Sequence, residues 1–68
     1  MKFTIETEQE ADGRWLAEIP ELPGVLAYGT TRDHAMSQAQ ILALRVIADR
    51  LEHNETKPQP ISIDIAAA

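Results

Sequence analysis

The chain has 68 residues, a net charge of −5 and no cysteine. Its length allows a single domain over residues 1–68, and the lack of cysteine excludes disulfides and thiolate metal sites. The acidic charge argues against direct binding of nucleic acid, which depends on Lys and Arg neutralising phosphates. No stretch approaches the ~20 apolar residues that span a bilayer, and the N-terminus lacks a signal-peptide pattern, so we expect a cytoplasmic protein without a membrane role.

The first half of the sequence predicts three strands. Residues 2–8 and 14–19 each alternate apolar and polar side chains, and an Asp-Gly turn signal lies between them. A proline ends the second run because it has no N–H for the ladder. Residues 25–28, bounded by glycines, form a short third strand.

The second half predicts one helix and a fourth strand. No Gly or Pro occurs over about 32–53, apolar residues recur there at helical spacing, and Thr31 is a suitable N-cap. Residues 61–65 alternate isoleucine with polar side chains. The expected fold is α+β: a single β-β-β-α-β domain whose antiparallel three-stranded sheet gains a C-terminal strand, with one long helix packed on one face. The sheet residues expected beneath the helix are Phe3, Ile5, Ala17, Ile19, Ile61, Ile63 and Ile65.

The segment EIPELPGVLAYGTT, residues 18–31, brings two prolines and two glycines together. Pro20 and Pro23 fix φ between the second and third strands, and Gly24 allows a tight reversal after the second proline. Gly29 is expected to let the chain turn from the third strand into the helix cap. This loop would then set the register of the strands and the angle at which the helix begins.

The same segment, with the preceding turn and strand, resembles the HicB family of antitoxins. The family pattern is an Asp-Gly turn, an aromatic–apolar strand, Pro-acidic-Leu-Pro-Gly, and Gly-x-Thr-x-x-Glu-Ala opening a helix. The matching positions are Asp12, Gly13, Ala17, Pro20, Glu21, Leu22, Pro23, Gly24, Gly29, Thr31 and Ala35. His34 stands where the family has Glu, which leaves the capping box at the helix start incomplete.

The resemblance implies a partially degraded RNase H-like fold that binds a small basic HicA-type toxin, an RNA-cleaving protein, and covers its active site. Many HicB antitoxins also carry a C-terminal DNA-binding domain. The sequence has no room for such a domain after the fourth strand, so we expect no direct DNA binding by this chain. The net charge of −5 suits a basic partner.

A partner surface is indicated on the helix. Ile41, Leu44 and Ala48 lie outside the main apolar stripe, one turn apart, and would be exposed in a monomer. Scattered surface apolar residues are the alternative explanation. A helix of this length spans ~33 Å at 1.5 Å per residue, whereas strands typically reach ~17–20 Å. Its C-terminal half should therefore overhang the sheet, which favours a homo-oligomer, either dimer or tetramer. Tyr28 is the fourth candidate contact residue.

The sequence thus predicts a non-enzymatic antitoxin-type module that oligomerises and binds protein, with no catalytic residue, cofactor or metal site. One alternative is an orphan oligomeric domain of the same fold, with a structural role or an unknown ligand. The other is a remnant metal-dependent nuclease, for which Glu6, Glu8, Glu18 and Asp64 on the polar sheet face would be the ligands.

Overall fold

The computed structural model describes residues 2–53 and 63–67. Strand β1 spans Lys2–Gln9, β2 spans Trp15–Glu18 and β3 spans Leu26–Gly29; helix α1 spans Arg32–Glu52, and β4 spans Asp64–Ala67. The α+β class and the β-β-β-α-β order predicted from the sequence are confirmed.

The four strands form one sheet in the order β3-β2-β1-β4. β1 pairs antiparallel with β2, and β2 pairs antiparallel with β3, as predicted. The fourth strand pairs parallel with β1, with Phe3 opposite Ile65. Since β3 and β4 run in the same direction at opposite edges of the sheet, α1 carries the chain across one face between them.

The fourth strand differs in position from its prediction. It was expected over 61–65, but it begins at Asp64 and continues to Ala67. Ile63 precedes it, and residues 61 and 62 lie outside the described residues. Over residues 63–65 the predicted alternation of inward isoleucines and outward polar residues is observed, because Ile63 and Ile65 are both half-buried against the core.

The core lies between the sheet and α1. The four sheet positions Phe3, Ile5, Ala17 and Ile19 are buried as predicted, and α1 contributes Ala35, Ala39, Ala43 and Ile47. Leu22 and Val25, from the loop between β2 and β3, are buried as well. Three of the four buried helix residues are alanines, so the helix axis lies close to the sheet.

Gly29 shows how close this approach is. A Cβ built on Gly29 would lie 2.5 Å from the backbone N of Ala35 and 3.0 Å from its Cα. Gly29 has no positive φ, whereas Gly13 and Gly24 have φ of 93° and 88°. The expectation that Gly29 supplies a turn is therefore replaced by a packing reason: any side chain here would push the first turn of α1 off β3.

The proline-containing loop is held by its own backbone and by one carboxylate. Leu22 donates its N–H to the carbonyl of Ile19 at 2.9 Å, and Val25 donates to the carbonyl of Leu22 at 3.0 Å. The Glu21 carboxylate accepts from the N–H of Thr4 at 3.2 and 3.3 Å. The loop is thereby fastened to β1 as well as to its flanking strands.

The helix begins at the predicted cap. Thr31 accepts the N–H of His34 on its hydroxyl at 3.1 Å, and its carbonyl accepts the N–H of Ala35 at 3.1 Å. Position N3 is His34, so half of a capping box is formed. The acidic Asp33 lies in the first turn, where the helix dipole favours it.

Candidate protein-interaction surfaces

The exposed large hydrophobic residues of the described chain fall on two surfaces. Ile41 and Leu44 are 41% and 49% exposed on α1, and Leu26 and Tyr28 are 45% and 44% exposed on β3. The first pair lies on the side of the helix turned away from the sheet. The second pair lies on the face of the sheet that the helix does not cover.

The helix strip consists of Ile41, Leu44 and Ala48, and all three are exposed. Their spacings of three and four residues place them on adjacent turns of one helix face, over a length of about 10 Å. They are uncharged, and the small side chain of Ala48 permits close approach by another helix.

The prediction that the C-terminal half of α1 extends past the sheet is wrong for most of that half. Ala43 and Ile47 are buried, and Val46 packs against the core as a partly buried residue. The helix therefore stays on the domain's own core through Ile47. The helix strip is exposed because it points away from the sheet, and not because the helix extends past it.

The outer sheet face is defined by strand register. Ala17 and Ala27 oppose each other and turn toward the helix, so their neighbours on the same strands turn away from it. Leu16 opposes Tyr28, and Glu18 opposes Leu26. The outer sheet face comprises Leu16, Leu26 and Tyr28 with Glu6, Glu8 and Glu18.

Tyr28 therefore lies on the outer sheet face, on the opposite side of the sheet from the helix strip with which it was predicted. Leu26, which shares that face, was not among the predicted contact residues. The sequence could have indicated Leu26 as a contact residue. If Val25 and Ala27 face the core, then Leu26 and Tyr28, two residues apart on the same strand, both face outward.

A basic side chain of the protein, that of Arg14, packs on the outer sheet face. The guanidinium carbon of Arg14 lies 4.7 Å from the centre of the Tyr28 ring. Arg14 is held there by Asp12, whose Oδ2 accepts from Nε at 2.7 Å and whose Oδ1 accepts from the Arg14 backbone N–H at 3.0 Å. That backbone hydrogen bond, followed by the one from the side chain, lowers the pKa of Asp12 below its usual value.

The carboxylates considered for a metal site do not converge. Glu6 opposes Glu18 across β1 and β2, but Asp64 opposes Lys2, four residues from Glu6 along β1. Four residues of strand correspond to about 13 Å, too far for one ion to be shared. Across residues 2–53 and 63–67, no group of three or more His, Asp or Glu side chains is placed to hold a metal ion.

Neither surface is a concave small-molecule site. The described part of the molecule contains no pocket, and the helix it contains is not apolar enough over its length to cross a membrane. What the two surfaces offer is exposed apolar area on regular secondary structure, which is typical of contacts with other proteins.

A four-stranded mixed sheet crossed by one long helix is the fold of a known class of antitoxin domain. The N-terminal domain of the Burkholderia pseudomallei antitoxin HicB superposes with a TM-score of 0.76 at 22% sequence identity, over 88% of this chain and 71% of that one. The resemblance to HicB predicted from the sequence is thereby confirmed at the level of the fold.

The sequence is also similar to that of a curated archaeal protein. The UPF0150 protein Ta0767 of Thermoplasma acidophilum is 29% identical over 59 residues, which cover 87% of this chain and 86% of the relative. No protein-family model matches the sequence.

Proposed function

We propose that this chain is a non-enzymatic, antitoxin-type binding module that self-associates and covers a small basic RNA-cleaving protein of the HicA type. The observation that carries the proposal is the likeness in fold to the HicB antitoxin domain, which extends over 88% of the chain. The net charge of −5 supports a basic partner, since complementary fields steer association and favour it.

Self-association through the helix strip is the part of the proposal that rests on this chain's own surface. The strip is apolar and uncharged, so a second copy can present the same strip to it in a two-fold contact without opposing like charges. A domain of this size also buries only about 60% of the surface of its unfolded chain, which makes an additional buried contact valuable for stability. We infer a dimer built on Ile41 and Leu44, or a tetramer that contains it.

Sedimentation of the purified chain tests the assembly. The wild-type chain should sediment as a dimer or tetramer at micromolar concentrations, and Ile41→Asp with Leu44→Asp should reduce it to a monomer with an unchanged circular dichroism spectrum. The matched control is Ala11→Asp with Thr30→Asp, which adds the same charge at two exposed positions outside the helix. A wild-type monomer, or equal mass for all three proteins, would show that the strip is only exposed surface.

Growth rescue tests the antitoxin role. A HicA-type toxin encoded beside this chain should arrest growth when it is produced alone, and co-production of the wild-type chain should restore growth. Purified chain should also inhibit RNA cleavage by that toxin at a fixed molar ratio. If the chain assembles but no such protein binds it, the orphan oligomeric domain is the correct description.

A further inference from the structure

The outer sheet face has the composition of a protein-binding surface with an apolar centre and an acidic border. Leu16 and Tyr28 are directly opposite each other on β2 and β3, and Leu26 is two residues from Tyr28 on the same face. Opposed residues have Cβ atoms about 5 Å apart, so the three side chains form one continuous apolar area. Stable interfaces are usually built in this way, with aromatic and aliphatic residues at the centre and charged residues around them.

The acidic border is arranged unfavourably for an isolated chain. Glu6 and Glu18 face each other across β1 and β2, and like charges in that position destabilise a sheet. Glu8 lies two residues further along β1, opposite Leu16. In the part of the chain that is described, none of these three carboxylates takes part in a salt bridge. A basic side chain placed over the pair by a partner would relieve the repulsion.

Among residues 2–53 and 63–67, two cations share this face, and neither neutralises that pair. Lys2 opposes Asp64 at the β4 end of the sheet. Arg14 lies over Tyr28 and is held there by Asp12 at 2.7 Å. The guanidinium of Arg14 thereby covers one side of the Tyr28 ring at the edge of the apolar area.

The free edge of β3 adds backbone groups beside the same apolar area. Ile19 donates its N–H to the carbonyl of Val25 at 3.0 Å, so these two residues are a hydrogen-bonded pair. Hydrogen-bonded and non-hydrogen-bonded pairs alternate along an antiparallel ladder, so Leu26 and Tyr28 belong to non-hydrogen-bonded pairs. The N–H and C=O groups of Leu26 and Tyr28 therefore point away from β2, toward the outside of the sheet, where β3 is the edge strand.

We propose that the outer sheet face is the docking surface for the basic protein partner, and that the helix strip is not. The inference rests on the proposed function and assigns the partner's site within it. A second copy of the chain is a poor occupant, because its own Glu6, Glu8 and Glu18 would be brought against the same carboxylates. A basic protein surface with an apolar centre satisfies both parts of the face at once.

The binding test uses the full chain and, as probe, the catalytically inactivated small basic protein encoded beside it. Titration calorimetry should show that Leu26→Ser with Tyr28→Ser weakens binding about 30-fold or more, the usual effect of removing central contact residues. Glu6→Gln with Glu18→Gln should weaken binding by about tenfold while the folding stability stays equal or rises, because the mutual repulsion is removed. A merely structural role for these residues would not separate affinity from stability in this way.

The helix-strip variant Ile41→Asp with Leu44→Asp is the matched comparison and should bind the probe within about threefold of wild type per chain. Amide shifts in labelled chain should map to β2 and β3 when the probe is added. Loss of binding in the helix-strip variant alone, with the outer-face variants unaffected, would overturn this inference and leave the proposed function in place. Failure of the wild-type chain to bind the probe would overturn the proposed function and this inference with it.

Discussion

Replacing Gly29 by alanine tests the close approach of α1 to β3. The added methyl group would lie 2.5 Å from the backbone N of Ala35, about 0.9 Å short of the 3.4 Å at which ordinary contact begins. Both of the nearest atoms belong to the Ala35 backbone, so no side-chain rotation can make room. The first turn of α1 must move away from β3, which loosens the packing of Ala35 and Ala39.

The expected cost follows from two opposing effects. Overpacking of a well-packed core costs about 1–3 kcal/mol, and a Gly→Ala change recovers about 0.4–1 kcal/mol through the unfolded chain. Because only backbone can give way at Gly29, we expect a net loss of about 2 kcal/mol. Globular domains of this length have total stabilities of about 3–10 kcal/mol, so the loss is a substantial fraction.

Urea unfolding at one fixed protein concentration measures the change, since the proposed self-association would make stability depend on concentration. With a slope of about 1 kcal/mol/M for a small domain, the midpoint should fall by about 2 M. The cost should rise from Ala to Val at Gly29. At Gly24, where no atom lies within 4 Å of a built Cβ but φ is 88°, Asn should be tolerated better than Ala. A free energy of unfolding for Gly29→Ala within about 0.3 kcal/mol of the wild-type value would refute the close-packing explanation.

Two further predictions concern the N-terminal cap of α1 and the turn between β1 and β2. Thr31→Ala removes the hydroxyl that accepts the His34 N–H and should cost about 1 kcal/mol in urea unfolding, whereas Thr31→Ser should cost little; equal loss in both variants would exclude the hydroxyl as the cause. The Asp12 pKa is lowered from 3.8 in the folded state, first by the Arg14 backbone N–H and then by the Arg14 side chain. The stabilisation contributed by the ionised Asp12 carboxylate is therefore complete at pH values above the ordinary pKa of 3.8, and it is lost as the pH falls through the lower pKa of the folded state. The stability difference between wild type and Asp12→Asn, measured by urea midpoints, should be constant from about pH 7 to 5 and shrink toward about pH 3. A difference independent of pH would show that the ionised Asp12 carboxylate does not stabilise the fold through its hydrogen bonds with Arg14.

The sequence predicts the order of elements because the local signals agree with one another. The two-residue alternation of β1 and β2, the left-handed glycines Gly13 and Gly24, and the Thr31 cap each depend on neighbouring residues alone. The parallel pairing of β4 with β1 depends on where α1 crosses the sheet, and no local pattern reports that.

The same reasoning explains what was missed at the candidate surfaces. In the third strand Val25, Leu26, Ala27 and Tyr28 are all apolar, so hydrophobic alternation does not reveal which side faces the helix. The role of Gly29 was missed because it depends on the tertiary approach of Ala35. The exposure of the helix strip could be predicted because a helix has one buried face, and apolar residues far from that face stand out at a spacing of three and four.

The two surfaces lie on opposite sides of the sheet, so self-association and partner binding can occur in the same molecule, and salt should affect them in opposite directions. Two copies of a chain with net charge −5 repel each other, and added salt screens that repulsion while leaving the apolar contact of Ile41 and Leu44 in place. The proposed dimer should therefore become tighter as salt rises. The proposed basic partner would be attracted to the carboxylates of Glu6 and Glu18 by the same field, so its affinity and its association rate should fall as salt rises. Sedimentation and calorimetry at about 0.05 and 0.5 M salt would measure both changes on one preparation. If both interactions weakened with salt, charge rather than apolar area would hold the copies together, and the assignment of one surface to each partner would be wrong.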